Sequence, residues 1–188
     1  MDKRVEKTGR KVREAALDVL AQSGFAAFTM EAVAAQSGVA KSTLYRHWPD
    51  RIALLADALE TLNRQPRVDR PPGGGEVRAQ VFALIEHLAS VFEDSRVARV
   101  MPALIEAAEH HREVRAFLHD YSAARRGTLV ALLEVGVRSG ALDPDLDPEL
   151  AALVLSGPIF YRRFMTPAPF PKEQVARLVD LVLRPRLR

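Results

Sequence analysis

Residues 29–51 read TMEAVAAQSGVAKSTLYRHWPDR, and this stretch decides the fold. Thr29 is a good N-cap for a short helix carrying Val33 and Ala34. Gly38 breaks that helix after Ser37, and a second short helix is expected from about Ala40 to His47. Two short helices flanking a glycine turn have the layout of a helix-turn-helix. In the second of them Leu44 and Trp48 stand four residues apart, share a face and should point inward. Lys41 and Tyr45 form an adjacent stripe, as do Ser42 and Arg46, with Thr43 and His47 on the flank. The outward face therefore consists almost wholly of hydrogen-bond donors, which suits a DNA major groove.

The surrounding chain supports a helical head. Val12, Ala15, Ala16, Val19 and Leu20 follow the spacing of an amphipathic helix, stopped at Ser23-Gly24. After the quoted stretch, Asp50 is the expected N-cap of a helix with Ile52, Leu55, Ala58, Leu59 and Leu62 on one face. Charge is concentrated at this end. Residues 1–13 hold six Lys/Arg against two acids, and residues 39–51 hold three against one. The whole chain is only +3, so the remainder is net negative. That asymmetry points to a polyanionic partner.

Residues 65–75, QPRVDRPPGGG, carry no apolar period and read as a flexible connection. Beyond it, helices are expected around Val81 to Phe92, from about Arg96 to His110 and from about Val114 to Ser139. Two more follow, one opening at Pro148 and a last one holding Val175 to Leu183. Pro102 and Gly157-Pro158 are places where a helix would bend. With no convincing strand pattern, the class is all-α. The expected organisation is a DNA-binding head over residues 1–55, a linking helix and connection over 56–75, and a C-terminal regulatory body over 76–188.

Several chemistries are excluded or disfavoured. The 188 residues contain no cysteine, so disulfides and thiol catalysis are absent. GxSxG, HExxH and Walker motifs are missing, and the glycine run lacks a GK[ST] ending, so no enzyme is expected. His110 and His111, with Glu106 and Glu113 nearby, invite a metal. Adjacent helical residues diverge by about 100°, so no metal or other cofactor is expected. The carboxylates of Asp143, Asp145 and Asp147 lack EF-hand spacing and read as capping groups. The N-terminus has no secretory signal pattern, and the uncharged run around Leu150 to Arg162 is too short to span a bilayer. A soluble, cytoplasmic protein with no membrane partner is the expectation.

Residues 10–60 resemble the N-terminal region of TetR-family transcriptional regulators. The resemblance rests on the small and apolar residues Ala15, Ala16 and Leu20, then Gly24-Phe25, Thr29, Gly38-Val39, Thr43-Leu44-Tyr45 and His47-Trp48. Ala40, Ser42 and Arg51 depart from the commonest pattern, where Ser, Gly and Lys are frequent. The resemblance implies that Thr29, Thr43, Tyr45, His47 and Arg51 clamp phosphates, while Lys41, Ser42 and Arg46 read bases, with Lys41 at the helix N-terminus equally placed to be a phosphate contact. It also implies a homodimer on a near-palindromic double-stranded operator, released by a small-molecule effector. The helices from Pro148 to Phe164 and from Lys172 to Arg184 are the expected dimer elements. Candidate effector contacts are Phe82, Met101, Phe117, Tyr121, Phe160 and Met165. An alternative is a regulator of the same fold answering to a protein partner or to no inducer.

Overall fold

A computed structural model describes residues 3–62, 64–66, 74–93 and 96–183. Most of the expected connection (residues 67–73) and the side chains of Lys3 and Arg4 in the basic arm lie outside the described residues. Among the described residues there are nine α-helices, one 3-10 turn and no strand.

The first helix, α1, runs Lys3–Ala27 with a break at Gly24, whose φ of 74° is left-handed. Glycine takes that backbone at little cost, so the chain turns where the sequence puts Ser23-Gly24. Helix α2 spans Met30–Ser37, α3 Lys41–His47 and α4 Arg51–Leu62. The tight α2–α3 turn is closed by Gly38 at φ 64°. It is also closed by Ser37, whose buried hydroxyl donates to the Ala34 carbonyl and accepts from the Val39 amide.

Beyond residue 73 come α5 (Gly74–Glu93), α6 (Arg96–His110), α7 (Arg112–Arg138), α8 (Pro148–Met165) and α9 (Val175–Leu183). Helix α7 ends in a left-handed Gly140, with the Ala141 amide reaching back to the Gly136 carbonyl at 2.9 Å. Helix α8 opens on Asp147, whose carboxylate accepts from the Leu150 amide, followed by Pro148 in the first turn. It continues as one helix through Pro158.

The chain divides into two units, one of residues 1–64 with 96–121, the other of residues 65–95 with 122–188. In the first, α1 packs against α2, α4 and α6. This is why Leu17 is fully buried beside Val12, Ala16 and Leu20, whereas Val19 is only half-buried. Helix α6 offers Val97, Ala98, Val100, Met101, Leu104, Ala107 and Ala108 as one buried stripe and leaves Pro102 on its exposed side. Arg96 pairs with Asp18 at 3.5 Å across that packing.

In the second unit, α5 packs against α8 and α9 around Val81, Ile85, Leu155, Ile159 and Val179. Phe92, Phe160 and Phe164 form an aromatic cluster there, Phe92 lying 4.7 Å from Phe160 between ring centres. Gly136 of α7 is a forced small residue. A Cβ there would meet Leu142 Cδ1 at 2.6 Å and Val77 Cγ1 at 2.9 Å.

Candidate DNA-binding face

Helix α3 is seven residues long and is held by what it buries. Leu44 is fully buried and Trp48, just past the helix, is 7% exposed. The Trp48 backbone amide donates to the Leu44 carbonyl at 2.8 Å and closes the helix. The start is less well tied, because Ala40 has no side chain to cap it. Lys41, Ser42, Tyr45, Arg46 and His47 are all exposed, and Thr43 is half-exposed. The sequence-predicted residues of this helix are thus all at least partly open to solvent.

The structure also shows how that surface is held. The Lys41 ammonium pairs with Glu31 of α2 and lies 5.7 Å from the centre of the Tyr45 ring. The shared hydrogen bond holds the Glu31 carboxyl below its usual value and raises the Lys41 ammonium above its own. Behind the helix, the Trp48 indole Nε1 donates to Asp57 Oδ2 of α4 at 2.9 Å. Arg13 of α1 donates to the same oxygen at 3.2 Å. A cavity of about 210 Å³ opens beside this triad, lined by Thr43 and His47 among others.

Two of the expected phosphate contacts also have roles within the fold. The Thr29 hydroxyl caps α2 by accepting from the Ala32 amide at 3.1 Å. Arg51 is less exposed than the α3 side chains. Its guanidinium stacks 4.2 Å from the centre of the Phe25 ring, donates to the Phe28 carbonyl and pairs with Glu113 of α7 at 2.6 Å. The Phe25 ring also meets His111 at 5.1 Å. No sequence pattern singles out Glu31, Asp57 or Arg13 for these pairings, and Glu113 stands out only beside the histidine pair.

The six candidate effector contacts do not gather in one unit. Met101 and Tyr121 are buried in the first, with the Phe117 ring 5.8 Å from Tyr121. Phe82, Phe160 and Met165 belong to the second, where Met165 is 72% exposed. A cavity of about 380 Å³ in the second unit is lined instead by residues such as Asp143, Leu146, Leu150, Val154 and Leu181. Near the end of α6, His110 approaches Glu106 at 3.8 Å. Among the described residues no group of three or more His, Asp or Glu is placed to hold a metal, and no helix is long and apolar enough to cross a membrane.

A helix-turn-helix with a buried apolar back and an exposed basic front defines a DNA-binding regulator. Comparison with known proteins places the chain within that class. Residues 12–58 match the bacterial regulatory proteins of the tetR family, and residues 71–182 match the tetracyclin repressor-like C-terminal domain. The chain is 30% identical over 166 residues to the HTH-type transcriptional regulator YdeS of Bacillus subtilis, covering 87% of this chain and 81% of that one. It is 27% identical to the DNA-binding transcriptional repressor TetR of Mycobacteroides abscessus, over 89% of this chain and 87% of the relative. Its fold is similar to the crystal structure of the TetR-family regulator SCO0332, with TM-score 0.65 and 28% identity over 96% and 97% of the two chains. The chain belongs to the TetR family and is a DNA-binding transcriptional regulator.

Proposed function

We propose that the protein is a homodimeric repressor that sits on a near-palindromic operator and leaves it when a small molecule binds the C-terminal body. The observation that carries the DNA half of this reading is the outward face of α3. The polar side chains of Lys41, Ser42, Tyr45, Arg46 and His47 are exposed while Leu44 among them is fully buried. In this reading Lys41, Ser42 and Arg46 meet base edges in the major groove. Thr29, Thr43, Tyr45 and His47 hold phosphates, and Arg51 reaches one from its seat on Phe25.

Dimerisation is supported by an apolar stripe on α8. Leu150, Leu153, Val154, Tyr161 and Met165 are all exposed at helical spacing, and Leu181 of α9 is 72% exposed. Exposed apolar residues in one row favour burial against a second copy. Repression is suggested by the relative from Mycobacteroides abscessus, itself named a repressor, and release by an effector rests on family membership. The protein would act in the cytoplasm.

Footprinting of the purified protein on the DNA upstream of its own gene tests the proposal. A protected near-palindrome, lost on titration with an effector found by screening, is the expected result. Protection of a single asymmetric half-site would refute the dimer.

A further inference from the structure

Helix α3 presents an electrostatic problem at its start. A helix N-terminus carries partial positive charge, and a cation in the first turn is of the wrong sign. Here Lys41 stands at that first position, no acid follows it in the turn, and Ala40 offers no capping oxygen. The missing negative charge comes from the neighbouring helix, because Glu31 of α2 pairs with the Lys41 ammonium. Both side chains are half or more exposed, and Lys41 is one of the proposed DNA contacts. Tyr45, one turn along from Lys41, places its ring centre 5.7 Å from the same ammonium.

We propose that Glu31 is a specificity-determining residue of the DNA-binding face: it holds Lys41 in one place and limits the uptake of DNA of arbitrary sequence. The inference rests on α3 being the helix that enters the groove. Non-specific binding is driven by cations that neutralise phosphates and release counterions. A lysine paired to a carboxylate contributes little to that release, since the pair is neutral. An ammonium has three donors, and the Glu31 bond uses one. The remaining donors can meet an acceptor on a base edge, in a direction the carboxylate and the Tyr45 ring define. Only a duplex presenting an acceptor there benefits from Lys41, and discrimination between sites increases.

The test uses the full-length protein and two duplexes, an operator selected from a randomised library and a random sequence of equal length. Affinities are measured over a series of salt concentrations for the wild type, Glu31→Gln, Lys41→Met and the double variant. Glu31→Gln preserves shape and removes the charge. It should raise random-duplex affinity by about three- to tenfold at low salt and steepen the log–log salt slope by about 0.9 for each additional phosphate neutralised. Operator affinity should rise less, so the ratio of the two falls. In the Lys41→Met background the Glu31→Gln effect should vanish, because it acts through Lys41.

Unchanged random-duplex affinity and slope in Glu31→Gln would overturn the proposal. So would an effect that persists in full without Lys41, which would make Glu31 a bare repelling charge. Loss of operator affinity alone would also overturn it, by making Glu31 a base contact. A wild type that binds neither duplex would refute the DNA-binding face itself, a result distinct from all of these.

Discussion

Removing the carboxylate of Asp57 should loosen the attachment of α3 to the rest of the first unit. Asp57 Oδ2 accepts from both the Trp48 indole N–H at 2.9 Å and the Arg13 guanidinium at 3.2 Å. Trp48 is 7% exposed, so Asp57→Ala strands a nearly buried donor. Such a stranded group costs about 1–3 kcal/mol. The ion pair with Arg13 adds less, about 0–1 kcal/mol, because the Asp57 side chain is 39% exposed and its charge is screened by water. The sum for Asp57→Ala is about 1–4 kcal/mol.

Urea unfolding followed by far-UV circular dichroism reads every variant, including those that lack Trp48, the only tryptophan in the chain. Asp57→Asn keeps an oxygen for the indole N–H and should cost under about 1 kcal/mol, the share belonging to Arg13. Adding Trp48→Phe, which deletes the donor, should reduce the cost of Asp57→Ala by about 1 kcal/mol or more. If Asp57→Asn costs as much as Asp57→Ala, or the double variant shows no coupling, the indole bond does not hold α3 and the reasoning fails.

Three further outcomes are expected. Leu153→Glu, on the exposed face of α8, should shift the protein from dimer to monomer in sedimentation velocity while leaving the helical circular dichroism intact; an unaltered dimer would place the interface elsewhere. His87 has its pKa lowered from 6.5, by burial first and by the Arg125 charge second, so the unfolded chain binds a proton that the folded one resists. Stability should therefore fall as pH drops below about 6.5, and His87→Asn should flatten that loss in urea unfolding at about pH 5.5 and about pH 7.5. Gly136→Ala puts a methyl against Leu142 and Val77 and should destabilise the second unit by about 1–3 kcal/mol; a neutral result in thermal unfolding would show that Leu142 yields freely.

Much of the head is legible in the sequence because its signals are local. Leu44 and Trp48 share a face by spacing alone, and both are buried. Gly38 and Gly140 sit after polar helix ends and take left-handed φ, and Ala40 leaves α3 without a side-chain cap. Asp147 and Pro148 start α8 as a capping residue and a first-turn proline should. What stays hidden is non-local. The pairings of Lys41 with Glu31, Arg13 with Asp57 and Arg51 with Glu113 span 10, 44 and 62 residues, and no spacing rule links such positions. An apolar stripe also names no partner. The periodicity of α6 predicts a buried face, yet nothing in it says that α1 is what covers that face. For the same reason composition alone makes Met165 a candidate effector contact, while its side chain lies exposed on the surface.

The first unit is discontinuous in sequence, built from residues 1–64 and 96–121, so the chain passes between the two units three times. Modularity in this protein is therefore spatial rather than linear. A fragment ending at residue 62 would carry every proposed DNA contact but would bare the surface of α1 that α6 covers, and Asp18 would lose Arg96. Grafting this head onto another regulator's body would require exchanging two segments together, with α6 and the start of α7 travelling alongside the helix-turn-helix. A single splice after α4 would join mismatched halves of one hydrophobic core.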